Sequence, residues 1–452
     1  MKSALLLGGL LLTSGMASAT ENDSKIEHSL VAAEAVARQA LDRPMPSLDP
    51  AQRPRFADGR SLFRQVWVAA PSRDTDIDGL GPLYNRPACS SCHPANGRGR
   101  APDSPGERMR EMLVRLSVPG AGDHGAPRPH PVYGDQLNET GIPGVPGEGR
   151  AALHWQSSTF TFADGETVEL RQPRLEFREL AYGPLDGVLT SPRVGPAMLG
   201  LGLLDAVATA DLQAMAAQPG ADGVQGRVNR VWNASSGRLE VGRFGFKSNN
   251  ASLLDQIAAA MAGDLGLTSR AYPVQPCMPA QTACREAPAG GDPELSEAQL
   301  QAIAFYLAHL QPPARRDPDS PDVQRGERHF HALGCAACHR PQLRTAADAA
   351  SPLLRDRLFE PYTDLLLHDM GEGLADGRPD HLAGPRDWRT APLWGIGQVQ
   401  AGNAAGFLHD GRAHSLAEAI LWHGGEAQAA RDRYAALPRT ARDDLHGFLG
   451  SL

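Results

Sequence analysis

The sequence predicts a mainly α protein of two related domains, with some β-structure in insertions of the N-terminal one. Three observations predict it. At 452 residues the chain exceeds the size at which one hydrophobic core stops growing, so two domains are expected. Two modules follow one another with the same order of parts, each opening near a Cys-x-x-Cys-His motif and closing with an amphipathic helix. Strand-like stretches, Ser158 to Phe162 and Thr167 to Leu170, fall in the extra length of the first module.

The N-terminus reads as a secretory signal over residues 1–19. Lys2 supplies the positive start, Ala4 to Leu12 a short apolar run, and Ala17-Ser18-Ala19 a small-residue cleavage site before Thr20. The run is too short for a permanent membrane span, and no cysteine follows it to carry a lipid. The mature chain is therefore expected in the periplasm. With 41% hydrophobic and 21% charged residues it has the composition of a soluble globular protein, and a net charge of −8 argues against a nucleic-acid partner. Of the 44 basic residues only Lys2, Lys25 and Lys247 are lysine.

The first module spans 20–310. Gly59 and Phe63 mark a short helix leading into Cys89-Ser-Ser-Cys92-His93. In c-type haem attachment two such thiols bind the porphyrin and the adjacent histidine binds the iron, because one tight turn puts all three on one face of the ring. A redox-active dithiol or half a zinc site is the competing reading. The closing helix has a Ser296 cap with Gln299 three residues later, then Leu300, Ile303, Leu307 and Leu310 at helical spacing. A Pro- and Asp-rich linker, 311–322, follows. The second module, 323–452, repeats the order: Gly326 and Phe330, then Cys335-Ala-Ala-Cys338-His339, then a helix from near Thr440 with Leu445, Phe448, Leu449 and Leu452. Two motifs in one exported chain, with no further Cys-x-x-Cys pair to complete a zinc site, favour two covalently bound haem c groups. The remaining pair, Cys277 and Cys284, reads as a local disulfide, with a free or metal-binding pair as the alternative.

A finer repeat lies within the modules. Arg193 to Gly202 matches Arg389 to Gly397 with one residue inserted, and each copy is followed by a helix start, Ser252-Leu253 and Ser415-Leu416. Aligning these starts sets Ala260 against His423.

Most of the mature chain resembles the di-haem oxidoreductase family of putative peroxidases, often labelled thiol oxidoreductases. The carriers are DGLGPLYNRPACSSCHPANGRG (78–99), GLGLLDAV (200–207), GRFGFKSNNASLLDQ (242–256), PYTDLLLHDMGEGLAD (361–376), WRTAPLWGIG (388–397) and FLHDGRAHSLAEAILWHGGEAQAARD (407–432). More remotely, the C-terminal half is similar to bacterial di-haem cytochrome c peroxidases. The resemblance implies two cytochrome c-like haem domains. In those peroxidases the distal ligand of the C-terminal haem lies fourteen residues after the histidine of an HDG segment; here that position is His423 (409 + 14). It thus implies His339 and His423 on one iron, with His368 and Met370 as rivals for the distal place, and His93 as the proximal ligand of the other.

Alanine cannot bind iron, so unless His124, His130 or His154 swings in, the N-terminal haem keeps an open sixth position. The distal Gln and Glu that the resemblance leads one to expect fall on Phe244 and Leu254, leaving Lys247, Arg243, Gln256 and Asp255 as substitutes. Lys247 could lose its proton if buried, or be a solvated lysine. Arg98 and Arg389 are candidates to pair with haem propionates, or are surface groups. Trp155 and Trp394 could relay electrons, or be core. Asp74 to Gly79 opens like a calcium loop, but its twelfth position is Asn85; the resemblance also allows Ca2+ between the haems.

The expected function is that of a periplasmic oxidoreductase, peroxidase-like. A small cytochrome or copper protein would donate electrons at the C-terminal haem, and the N-terminal haem would act on peroxide or another small oxidant. A non-catalytic electron-transfer cytochrome is the alternative.

Overall fold

The computed structural model describes residues 41–401 and 406–452, with side chains left undescribed at 399–401. The leader expected at 1–19 lies outside the described residues. No described helix is long and apolar enough to cross a membrane.

The chain is 31% helical and 19% strand, the strands forming several small sheets. This corrects the expectation of mainly α, cytochrome c-like domains. Most of the unexpected β-structure lies in the first module. Met112–Ala121 pairs antiparallel with Leu189–Val194, from Met112 opposite Val194 to Ser117 opposite Leu189. Arg150–Thr161 and Thr167–Arg178 form a hairpin twelve pairs long, of which the sequence marked only the tip. Its strands are largely polar and half-exposed, so their apolar alternation is weak, and the partner of 112–117 lies more than seventy residues away.

The helical parts repeat more closely. Arg53–Arg64 crosses Glu297–Ala308 in the first module, and Pro321–Leu333 crosses Arg439–Ser451 in the second. The Glu297 helix starts on the Ser296–Gln299 capping box read from the sequence. A Cβ at Gly59 would strike the Ala302 carbonyl and the Tyr306 side chain; at Gly326 it would strike the Asp444 carbonyl and Phe448. Each Gly-x-x-x-Phe therefore serves the same purpose: glycine lets two helix backbones meet, and the aromatic fills the space beside the crossing, Phe63 on Tyr306 and Phe330 on Phe448. Gly326→Ala is expected to lose about 1–3 kcal/mol by overpacking, despite alanine's better helix propensity. Urea unfolding checks it, and an unchanged midpoint would show that the crossing has slack.

The same repeat governs the helix starts at Ser252 and Ser415, which have φ, ψ of −132, 159 and −132, 162; each side chain accepts the backbone N–H three residues on. Before each start the chain doubles back, with Phe244 bridged to Asn250 and Phe407 to Ala413. One apolar core surrounds the first helix pair and takes in Leu343, Leu354, Phe359 and Leu365 from beyond the linker. A second surrounds Phe330, Tyr434 and Phe448 and takes in Phe162 from the hairpin.

Candidate functional site

Each Cys-x-x-Cys-His segment is one tight turn. The Cys92 and His93 N–H groups donate to the Cys89 carbonyl at 3.1 Å, and His339 N–H donates to the Cys335 carbonyl at 2.9 Å. Both turns line one continuous cavity, and Cys89, Cys92, Cys335 and Cys338 are all unpaired. Burial pushes the thiols of Cys89, Cys92 and Cys335 up to about 12, so none is a ready thiolate for dithiol chemistry. Among the described residues no group of three or more His, Cys, Asp and Glu side chains converges to hold a metal ion, which leaves nothing to complete a zinc site. Cys277 and Cys284 are joined as a disulfide.

Three histidines are set alike. His93 Nδ1 lies 2.7 Å from the Pro196 carbonyl, His339 Nδ1 3.1 Å from that of Tyr362, and His423 Nδ1 2.7 Å from that of Ala419. An Nδ1–H donated to a carbonyl fixes the tautomer and ring direction and leaves Nε2 available to a metal. All three rings line the cavity, and burial holds His93 and His339 down at about 4 and His423 below its usual value, which keeps them neutral as metal binding needs. His339 and His423 face each other with ring centroids 6.5 Å apart. Two metal–imidazole bonds of about 2 Å each, with half a ring at either end, fill such a span.

The same position relative to the helix start is Ala260 in the first module, also on the cavity wall. The three loop histidines are engaged elsewhere and do not line the cavity. His124 stacks on Trp232 at 3.7 Å, the His130 ring nitrogen accepts from Val132 and Tyr133 N–H, and His154 pairs with Glu176 at 2.6 Å. Of the rivals to His423, His368 has both nitrogens occupied, by Asp364 at 2.9 Å and Glu426 at 2.8 Å. Burial opposes its charge, but these bonds and one to Cys338 prevail and push it up to about 12. An imidazolium cannot ligate. Met370 lines the cavity.

The cavity fits haem in a further respect. Arg98 and Arg389 line it, and neither has a carboxylate within ion-pair distance among the described residues. Arg98 donates to the carbonyls of Gly406 and Leu408, Arg389 to those of Gly245 and Thr390. Enclosure by protein pushes both guanidinium groups down to about 10. Two enclosed cations without a protein counter-ion suit the propionates of a bound porphyrin. Gly195 passes the first motif so closely that a Cβ there would strike the Cys92 carbonyl and touch the His93 ring.

The proposed acid–base substitutes separate. Lys247 is fully buried behind the cavity wall: Nζ donates to Asp376 at 2.8 Å and to the carbonyls of Arg378, Gly384 and Pro385 at 2.8–3.3 Å. Burial pushes this amine down to about 8 against the pull of Asp376, yet the group has nothing to do with the cavity surface. Arg243 is likewise spent, on the carbonyls of Asp205 and Val207 at 2.7 Å and on Thr209. Asp255 accepts from Ala234 N–H and the Tyr272 hydroxyl. Gln256 alone of the four lies on the wall. Trp394 lines the cavity against Gly200; Trp155 does not, holding instead the Pro102 carbonyl and the Arg171 guanidinium. The aromatic that the sequence reading passed over is Trp388, stacked on His409 at 3.6 Å, with Lys247 Nζ 4.5 Å from its ring centre. Also passed over was Asp264, one helical turn after Ala260 and on the wall; its only sequence signal is that spacing. In the loop from Asp74 the carboxylates of Asp74 and Asp78 serve turns, accepting from Asp76 and Ser72 N–H.

No curated protein matches the chain. The profile described as "Di-haem oxidoreductase, putative peroxidase" matches residues 28–452. That span takes in both Cys-x-x-Cys-His turns, the facing histidines and the unpaired arginines between them, so the geometry and the match point the same way: the chain belongs to the di-haem oxidoreductase, putative peroxidase family, and its cofactors are haems.

Proposed function

We propose that the protein is an exported, periplasmic c-type member of this family whose C-terminal site transfers electrons and whose N-terminal site performs the chemistry, on peroxide or another small oxidant. In this reading Cys89, Cys92 and Cys335, Cys338 hold the haems covalently, His93 and His339 are the proximal ligands, and His423 closes the C-terminal iron. A small cytochrome or copper protein docks at the C-terminal module as donor. The haems, when bound, supply the redox chemistry. The chain's own residues aim three imidazoles through backbone carbonyls, offer Arg98 and Arg389 to the propionates, and keep bulk water out.

One observation carries the division of labour: a ring faces His339 across 6.5 Å, and at the equivalent place from the helix start the first module carries only the methyl group of Ala260 on the cavity wall. Two imidazoles leave an iron no place for substrate, whereas one leaves a position open. The ferric holoprotein is expected to give one high-spin and one low-spin signal by electron paramagnetic resonance. Its mass is expected to exceed that of the chain from Thr20 by two haems. Two low-spin signals would favour the non-catalytic carrier, and a mass without added haem would end the covalent reading.

A further inference from the structure

The segment that carries His423 is tied down three residues later, at Glu426, whose carboxylate takes four donors. Oε2 accepts from the Gln225 N–H at 2.8 Å and from His368 Nδ1 at 2.8 Å. Oε1 accepts from the Asp369 N–H and from Arg227 Nη1, both at 3.0 Å. Burial opposes the charge, but the bonds from His368 and from the two backbone N–H groups prevail and hold the carboxyl down at about 2. His368 is fixed through its other nitrogen by Asp364 at 2.9 Å, so both ring nitrogens donate and the ring is an imidazolium. Its Nδ1 also lies 3.6 Å from the sulfur of Cys338, the residue immediately before His339.

These contacts close a ring of parts. From His339 the path runs through Cys338 Sγ, His368 and Glu426 to His423, and the two facing imidazoles complete it. Backbone packing tightens the same joint. Gly425, with a φ of +53°, lies so close to the 369–371 segment that a Cβ there would strike the Asp369 carbonyl, and a Cβ at Gly371 would strike the Gly425 nitrogen. His423 itself bonds only within its own turn of helix, Nδ1 to the Ala419 carbonyl and the backbone N–H to that of Ile420. The offset that relates Ser252 to Ser415 (415 − 252 = 163) sets Ala260 against His423 and Gly263 against Glu426. Where the first module lacks the imidazole, it lacks the anchor too.

We propose that Glu426 and His368 are positioning residues of the C-terminal site, a bracket that holds the His423 ring across the gap from His339. The proposal rests on the reading that His423 closes the C-terminal iron. The helix before His423, Leu416–Leu421, is six residues long, and a short helix end opens easily unless something outside it holds the chain. Here the hold comes from the segment beside the proximal turn. For the backbone at His423 to draw back, its turn must part from residues 369–371 and break the bond between Glu426 and His368, which is charged on both sides. The first-module residues Gln225 and Arg227 share the same carboxylate and steady it from a third direction.

Cyanide uptake by the ferric holoprotein, followed by absorbance and electron paramagnetic resonance, tests the bracket without turnover or donor. The wild type is expected to take up one cyanide quickly at the N-terminal iron and a second slowly, as fast as His423 lets go. His423→Ala is expected to take up both quickly, which assigns the slow phase. Glu426→Gln, which keeps the side-chain length, and His368→Gln, which keeps a donor, are each expected to speed the slow phase roughly thirtyfold and leave the fast phase unchanged. The double variant is expected to go little further, since both changes sever one joint. Arg227→Ala removes an exposed partner of the same carboxylate and is expected to stay within about twofold of wild type. A slow phase that survives His423→Ala overturns the reading of His423 itself. A slow phase that His423→Ala abolishes but neither Gln variant moves, or that Arg227→Ala moves as much, overturns the bracket alone. If Glu426→Gln does not take up haem, His368→Gln decides by the same criterion.

Discussion

Replacing His423 with alanine is expected to remove the low-spin ferric signal of the C-terminal site and leave a protein whose two irons both accept exogenous ligands. His423 stands just beyond a short helix, its Nδ1 tied to Ala419 and its ring turned to His339. Alanine leaves a space the size of an imidazole, lined by the groups that held the ring. Free imidazole added to the variant is expected to enter that space and restore the low-spin spectrum. Axial ligands tune haem potentials over a range of about 0.8 V, so the C-terminal potential is expected to shift by an amount on the order of 100 mV. A low-spin signal that persists in His423→Ala without added imidazole would transfer the role to Met370, the remaining rival on the wall.

The second large effect is expected at Lys247, in stability. Its side chain is 0% exposed and that of its partner Asp376 is 1% exposed. Three backbone carbonyls share the same ammonium group, and all belong to the segment that carries Trp388 onto His409. Lys247→Met preserves the length and the apolar stem but strands a buried carboxylate. Removing one partner of such a pair typically costs about 3–5 kcal/mol. The expected result is a large fall in the urea midpoint of the holoprotein, with the spin-state signals of both irons kept in the fraction that folds. Met at 247 with an unchanged midpoint would mean that Asp376 finds another donor. Restoration by Asp376→Asn in the double variant would identify the stranded charge as the cause.

Both outcomes bear on how the two modules share one cavity. Val194, in the first module's copy of the finer repeat, donates its N–H to the His409 carbonyl of the second; Arg389, in the second module's copy, donates to the Phe246 carbonyl of the first. The offset of 163 makes residues 246 and 409 equivalents, so each module lends the same segment to the other. The unpaired guanidinium groups follow the same exchange: Arg98 ties Leu408 and Arg389 ties Gly245, again equivalent positions. The cavity is thus built jointly, which explains why apolar side chains from either side of the 311–322 linker enter the opposite core.

The sequence by itself determined what depends on local chemistry. Cys-x-x-Cys-His fixes a tight turn within five residues, Ser296 with Gln299 fixes a helix start, and Gly-x-x-x-Phe marks the helix ahead of each turn, because each acts through neighbours a few bonds or one turn away. The contrast of Ala260 with His423 was legible for the same reason, since two equal caps count off equal distances along two helices. What only the tertiary structure decided is where polar side chains end. Lys247, drawn from sequence toward catalysis, is turned away by acceptors 129 to 138 residues distant, whereas Asp264 is turned inward by its place on a helix face and held by Gln136 from a distant loop. The direction of a long flexible side chain is set by whichever buried partner satisfies its charge, and that partner is not encoded by spacing along the chain. The β-structure escaped for two reasons: the partner of Met112–Ala121 lies more than seventy residues away, and the strands of the long hairpin are half-polar with little apolar alternation to declare them.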